Sequence, residues 1–242
     1  MSWNVLTDAN ERERRLPALM AELRDAHPDV IAVQEATTWF AVALGTQPWA
    51  KDFVRVPADA EQAFPGGLSF FTSFQVQRSQ VVDLPTGMAR CGLLVEVWTS
   101  LGPCSFGVVH LDSNLEDGPM RSRQLRAMAA ALRGPEDALL LGDFNFGDGE
   151  AESADLPAGF TDLWPTLHVG DAGFTWDIER SSMAKRSSFP GETSRRLDRV
   201  LVRSAHWQAA QMTLLGTAPV AGTDGQLFPS DHFGVRVVLN AR

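Results

Sequence analysis

Short apolar runs, each closed by a polar residue, set the rhythm of this chain. Ser2–Leu6 reads as a short buried strand. Asn10 is placed to cap a helix whose apolar positions Leu16, Leu19, Met20 and Leu23 fall on one face, with Pro17 marking a kink or a later start. Asp29–Gln34 is apolar and β-branched at its centre, a central strand ending at Glu35. Further runs at Lys51–Pro57, Gly67–Ser73, Val76–Leu84, Gly92–Thr99 and Ser105–Leu111 predict strands separated by Pro and Gly. Pro119 suits the first turn of an amphipathic helix carrying Leu125, Met128, Ala129 and Leu132 and ending near Gly134. Ala138–Leu141 leads into Gly142-Asp143, and Arg196–Arg203 and Phe233–Leu239 read as two late strands. No repeat, linker or shift in composition divides the chain, which predicts one domain over residues 1–242. Few helices among many dispersed strands predict sheet packed on sheet with helices outside, an α/β sandwich.

Composition adds limits. A chain of 242 residues can bury about 70% of its unfolded surface, so neither a disulfide nor a structural metal is needed. Cys91 and Cys104 are expected to be buried, reduced and inert. No apolar run approaches the ~18 residues of a membrane span, and no leader pattern opens the chain, so a cytoplasmic, monomeric protein without membrane contact is expected. Net charge is −9, opposite to the usual footprint of a protein that coats duplex DNA. Against that background, Arg180, Lys185, Arg186, Arg195, Arg196, Arg199 and Arg203 crowd one stretch that holds only Glu192 and Asp198 as acids. The stretch is either a solvated loop or a landing strip for phosphate.

Candidate chemistry sits where the apolar runs end: Asn4, Glu35, His110, Asp143 and Asn145, Asp198, and Asp231-His232. Loops at strand ends are where sites are usually built. Glu35, Asp143 and Asp231 are hard oxygen donors suited to Mg²⁺, with Mn²⁺ as a substitute, and the chain has no Cys/His cluster of the kind zinc requires. Extended geometry through Gly142-Asp143-Phe144-Asn145 would throw Asp143 and Asn145 to one side. His232 can donate to a phosphoryl oxygen if Asp198 holds its ring protonated. Gly-Asp-x-Asn or Ser-Asp-His alone turns up by accident in about 3% of chains this long; both together, in this order, are informative.

The ordered set Ser2-Trp3-Asn4, Val33-Gln34-Glu35, His110-Leu111, Gly142-Asp143-Phe144-Asn145, Arg196-Leu197-Asp198-Arg199 and Ser230-Asp231-His232-Phe233-Gly234 resembles the endonuclease/exonuclease/phosphatase superfamily of metal-dependent phosphoesterases, across nearly the whole chain. His110-Leu111-Asp112-Ser113, Thr175-Trp176-Asp177 and Phe228-Pro229-Ser230-Asp231-His232 are similar to the tyrosyl-DNA phosphodiesterase 2-like branch, with Asp112 where that branch has Glu. The resemblance implies a four-layered sandwich of two packed mixed β-sheets flanked by helices. It implies Glu35 as principal Mg²⁺ ligand, with Asn4 orienting metal and phosphate and Asp231 adjacent. Asp143 would align or deprotonate the attacking water, Asn145 and His110 would contact the phosphate, and His232, oriented by Asp198, would stabilise the pentacoordinate charge. Trp176, Ser113, Lys185 and Arg186 would contact substrate. The function implied is hydrolysis of a phosphodiester at a nucleic-acid end, possible 5′-phosphotyrosyl adducts included. Alternatives are a small phosphoester (a cyclic or 2′–5′ nucleotide, an inositol phosphate, a phospholipid head group) or a non-catalytic binding module on the same fold.

Several residues carry a plainer reading alongside. Trp176 is either core or a stacking platform. Arg121, Arg123 and Arg126 read as a solvated helix face, and Lys185 and Arg186 fall in a long Ser181–Ser194 loop. His168 and His206 match no part of the pattern.

Overall fold

The computed structural model describes residues 1–58 and 67–242. Among these residues two six-stranded sheets pack face to face. The first contains β1 (Ser2–Asn4), β2 (Val30–Gln34), β3 (Val54–Val56), β4 (Ser69–Thr72), β11 (Trp207–Leu215) and β12 (Gly234–Ala241), in the order β11-β12-β1-β2-β4-β3. The second contains β5 (Gln75–Asp83), β6 (Cys91–Thr99), β7 (Gly102–His110), β8 (Ala138–Asp143), β9 (Thr161–Asp162) and β10 (Asp198–Arg203), in the order β5-β6-β7-β8-β10-β9. Each sheet is mixed: β1–β2 and β7–β8 are parallel, the other pairings antiparallel.

The apolar runs lack alternation because the central strands are buried on both faces. Val30 and Ala32 of β2 point between the sheets, whereas Ile31 and Val33 pack under α1 (Arg12–Asp25) and α2 (Thr38–Gly45). In the second sheet Leu139, Leu141 and Val200 point inward, while Leu140 and Leu201 meet Leu125, Met128 and Leu132 of α3 (Gly118–Ala131) and its end. Three apolar layers between four layers of structure result, a DNase I-like sandwich. No helix among the described residues is long and apolar enough to cross a membrane.

Several expectations are corrected. Asn10 does not cap α1. Its place is taken by Glu11 in the left-handed region (φ 55°), after a turn in which Asp8 accepts the Asn10 N–H. Pro17 lies inside an unbroken α1, exposed and in the second turn, where its missing N–H removes a single helix bond. The strand expected from Phe233 starts at Gly234. Ser181–Ser194 is not simply a loop: α5 (Ser182–Ser187) starts where Ser181 Oγ accepts from the Ala184 N–H, and Met183 and Ala184 are buried. Arg121 is not solvated. It is buried against Glu152 and donates to the carbonyls of Asp112 and Asn114. α2, β11 and α4 (Leu163–Leu167) were not signalled by periodicity. Thr38–Gly45 is apolar nearly all round, and a bulge between Ala209 and Gln211 breaks the alternation of β11.

Candidate active site

Register assembles the site. Parallel pairing sets His110 beside Asp143, and antiparallel pairing sets Asp198 on the other side, so three titratable residues form one row across the second sheet. Parallel pairing in the first sheet brings Asn4 beside Gln34, one residue before Glu35. The two rows meet through one side chain: Asn4 Nδ2 donates to Glu35 Oε1 at 3.1 Å and to Asp143 Oδ2 at 3.0 Å. The last segment is tied in from behind, as Trp3 Nε1 donates to His232 O (2.9 Å) and Ser230 Oγ to Asn4 O (2.7 Å).

Backbone geometry is specialised here. Gly142 has φ 141°, and a Cβ on it would lie 2.0 Å from the Val109 carbonyl oxygen, so only glycine permits the close β7–β8 approach before Asp143. Glu35 (φ 60°) and Asn145 (φ 55°) are both left-handed, a strained conformation for such residues that concentrates at functional positions. The Asp143–Asn145 relation therefore arises from a turn, not from extended chain: the Asn145 N–H donates to Asp143 Oδ1 (2.9 Å), and Asn145 Nδ2 donates to Leu111 O (2.8 Å).

Asp143 Oδ2 is the hub. His110 Nε2 lies 3.6 Å and His232 Nε2 3.8 Å from it, and His232 Nδ1 is 2.9 Å from Asp198 Oδ2. Burial disfavours the charged His232 ring, but Asp198, Asp143 and Asp231 outweigh it and raise its pKa to about 10. Burial also works against an ionised Asp143, yet His232, His110, Asn4 and the Asn145 N–H hold that carboxyl below its ordinary value. For Asp198 burial prevails and pushes the carboxyl up against the pull of His232. Arg90 fixes the other imidazole. Its Nη1 lies 3.0 Å from His110 Nδ1, and a guanidinium only donates, which puts the ring hydrogen on Nε2 towards Asp143.

Two groupings offer ligands for a divalent ion. Asp143, Asp198 and His232 have one ligand atom each within 4.8 Å of one another. A ring held cationic between two carboxylates has no lone pair to give, so this trio suits a cation less well. Glu35 and Asp231 fit a cation better. Glu35 Oε2 is oriented by the Thr7 N–H (2.8 Å), and the buried Asp231 carboxyl is pushed up by burial and by the neighbouring Glu35 charge. Arg15, buried behind them, spends its donors on the carbonyls of Val5, Leu6, Asp8 and Pro229. Two hard-oxygen carboxylates, of which Glu35 disfavours the ionisation of Asp231, suit a metal such as Mg²⁺.

The remaining expected contacts are placed less centrally. Trp176 is buried against His232, ring centroids 5.0 Å apart, and packs with Ala184 and Leu197, so its main contacts are internal. Ser113 is exposed, with its N–H 3.2 Å from the Met88 sulfur. Asp112 is turned away to accept from Thr86, Gly87 and Gln124 and shapes a turn. Lys185 and Arg186 are exposed on α5, which packs on Trp176 and Phe233 through Ala184 and Met183. The phosphate strip is largely absent: Arg196 and Arg199 are buried in ion pairs with Asp148 and Asp162, Arg195 pairs with Glu192, and Arg203 donates to Leu132 and Pro135 carbonyls. Arg180, Lys185 and Arg186 remain exposed. Cys91 and Cys104 are buried, their thiols pushed up by that burial to about 11 and 12. His168 stacks on Trp164, and His206 pairs with Asp137.

Sequence patterns did not single out Arg90 or Arg15, and Thr175 entered only as part of the Thr175-Trp176-Asp177 motif, without a role of its own. Thr175 Oγ1 accepts from the Leu197 and Asp198 N–H groups at 3.0 Å and seats Asp198. Arg15 had a signal: it shares its face of α1 with Leu19 and Leu23, an odd place for a cation.

Comparison in sequence with curated proteins returned no match. Solved structures do match. D. rerio TDP2 complexed with single strand DNA product is 25% identical, with TM-score 0.84 over 99% of this chain and 97% of that one. Humanized D. rerio TDP2 with 14 mutations is 26% identical, with TM-score 0.82 over the same shares. Sphingomyelinase C from Streptomyces griseocarneus shares the fold at 17% identity, with TM-score 0.71 over 98% and 97%. The sequence profile of the Endonuclease/Exonuclease/phosphatase family runs through residues 1–232, from Asn4 to His232. With Asn4, His110, Asn145 and His232 gathered around Asp143 and the match running through nearly the whole chain, the chain belongs to the Endonuclease/Exonuclease/phosphatase family of phosphodiesterase hydrolases, in which dependence on a divalent metal is typical.

Proposed function

We propose that the protein is a Mg²⁺-dependent phosphodiesterase that hydrolyses a phosphodiester at a nucleic-acid end, 5′-phosphotyrosyl adducts being the leading candidates. The observation that carries this reading is the single amide of Asn4 joining the Glu35 carboxylate to Asp143, with His232 and His110 on the far side. Glu35 and Asp231 would hold the ion, which supplies Lewis-acid polarisation of a phosphoryl oxygen when bound. Asp143, kept ionised by its donors, aligns the attacking water more than it strips it, because a carboxylate with a depressed pKa is a weak base. His232 offers a charged Nε2–H to the oxygens that gain charge as water adds to phosphorus, and Asp198 holds the ring in place. Asn145 keeps one amide N–H for the phosphoryl group after donating the other to Leu111. Water adds to phosphorus, the bond to the leaving oxygen breaks, and that oxygen departs with a proton.

The polymer reading draws on the D. rerio TDP2 complex with single strand DNA product and on the motifs shared with that branch. One observation favours a second reading, a small phosphoester: the burial of Arg196 and Arg199 in ion pairs leaves little surface for a phosphate track. The test offers a 5′-phosphotyrosyl oligonucleotide, a cyclic dinucleotide and bis-p-nitrophenyl phosphate with Mg²⁺, Mn²⁺ or EDTA. Release of tyrosine that requires the metal and falls at least a thousandfold in Glu35→Gln, with the melt nearly intact, supports the proposal. Turnover indifferent to EDTA and to Glu35→Gln overturns it; metal-dependent cleavage of the cyclic dinucleotide alone selects the second reading.

A further inference from the structure

Most of the arginines around the site are spent. Arg15 is buried among carbonyls, and Arg196 and Arg199 are closed in ion pairs with Asp148 and Asp162. Arg12 is not. It opens α1 one turn before Arg15 and on the same side of the helix. The row that sets Leu19 and Leu23 in the core and buries Arg15 therefore ends in a half-buried guanidinium. Its neighbouring acids are engaged elsewhere: Glu11 pairs with Arg14, and Asp8 accepts from Asn10. Among the described residues no carboxylate forms an ion pair with Arg12.

Two contacts hold it in place. The guanidinium carbon lies 4.6 Å from the centre of the Trp39 ring on α2, and Nη2 donates to Thr7 O. Trp39 is itself set edge-on against Phe40, ring centroids 5.6 Å apart and planes at 86°. A guanidinium stacked on an aromatic face keeps its N–H groups in its own plane, pointing past the rim of the ring. One of them is spent on Thr7; among the described residues Nη1 has no hydrogen bond, and neither has the buried Nε. Thr7 also sets the distance to the site, because its N–H donates to Glu35 Oε2 (2.8 Å) while its carbonyl accepts from Arg12. Two hydrogen bonds of ~3 Å and the N-to-O span of one residue put the guanidinium within about 10 Å of that carboxylate.

We infer that Arg12, held by Trp39, is a subsite for a second phosphate, the one next along the strand from the phosphodiester at Glu35. The inference rests on the phosphodiesterase reading and adds what that reading leaves open, a substrate recognised by two successive phosphates. A planar fork of N–H donors meets phosphate oxygens in pairs, as a single ammonium does not. Stacking on Trp39 orients the fork without neutralising it, so its charge is left for an anion that arrives with the substrate. A neutral base would find that ring face already covered by Arg12.

The experiment gives the full chain, with Mg²⁺ titrated, two p-nitrophenyl esters: that of thymidine 5′-phosphate, with one phosphate, and that of 5′-phosphorylated dithymidine, with a second phosphate one nucleotide on. Wild type is expected to favour the second ester about tenfold in kcat/KM, mostly through KM, as one charge-assisted contact would give. Arg12→Gln should remove most of that preference, and Arg12→Lys, which keeps the charge without the fork, should recover only part of it. Calorimetry on the two products, phosphorylated dithymidine and thymidine 5′-phosphate, should show the same preference and its loss in Arg12→Gln. No preference in wild type, or an equal preference in wild type and Arg12→Gln, overturns the subsite. So does a loss in Arg12→Gln that is the same for both esters and is recovered by more Mg²⁺, which would make Arg12 a support for the Thr7 turn beside Glu35. Metal-dependent cleavage of both esters alongside either result leaves the phosphodiesterase reading standing; cleavage of neither by wild type overturns the two together.

Discussion

β10 begins with two neighbours that enter opposite kinds of charge cluster. Asp198 turns to His232, Asp143 and the carboxylates beyond, while Arg199 joins Arg196 between Asp148 and Asp162. Both clusters are buried, and both draw on partners far away in sequence. The arginine cluster balances two cations against two anions, through several hydrogen bonds of 2.5–3.0 Å. The Asp198 side gathers Asp143, Asp198 and Asp231 around one cationic imidazole, with Glu35 joined to Asp143 through Asn4. Each cluster leaves a buried atom without a hydrogen-bond partner among the described residues, Asp198 Oδ1 in one and Arg199 Nε in the other, so the difference lies in the charge balance. Charge closed on itself serves stability. Charge left with a negative remainder, beside left-handed backbone at Glu35 and Asn145, is what the proposed function would put to use on a cation and a phosphate.

The contrast can be broken most sharply at Asp198. Asp198→Asn should lower kcat about 10²–10³-fold, with KM nearly unchanged and the melting temperature within a few degrees. The His232 pKa lies above its ordinary 6.5, so the ring's charge, and the stability it lends, is complete below that value and lost as pH rises through about 10. The wild-type rate should therefore hold through neutral pH and fail only near the alkaline end, and Asp198→Asn should move that limb downward. A pure KM effect, or an unmoved limb, would detach His232 from the transition state.

Arg199→Met should do the reverse. A fully buried pair loses ~3–5 kcal/mol when one partner goes; here roughly 2 kcal/mol is expected, since Asp148 is half-exposed and Arg196 still faces both acids. A melting temperature lower by roughly 4–8 °C, with kcat within a few-fold, is the expected result. Loss of kcat without loss of stability would mean that this cluster belongs to the chemistry. The smallest effect is expected on α5. Neutralising Lys185 and Arg186 together should weaken binding of a charged oligonucleotide and flatten its logarithmic salt dependence by up to about two units, about one for each cation that meets a phosphate. An unchanged slope would leave that helix without a part in binding.

The same contrast explains what could be read from the chain. Strands such as Val30–Gln34 and Ala138–Asp143 were legible because burial on both faces demands an unbroken apolar run. Asn4, Glu35, His110 and Asp143 were legible because they close such runs. Whether a cation is spent or available was not legible. Arg196 and Arg199 look like phosphate binders until Asp148 and Asp162, 34 to 51 residues away, are folded against them. Arg90 and Thr175 act through a single imidazole nitrogen and two backbone amides, contacts that leave no periodic trace.

Asn4 has a mechanical consequence. Its amide grips one carboxylate from each sheet and so works as a caliper across the sandwich. Any substitution that lets one sheet shear against the other, even deep in the apolar layer, opens the caliper before it melts the fold. Turnover should thus fall earlier than circular dichroism on gentle heating, and core variants selected for tighter packing should widen the temperature range over which the enzyme works.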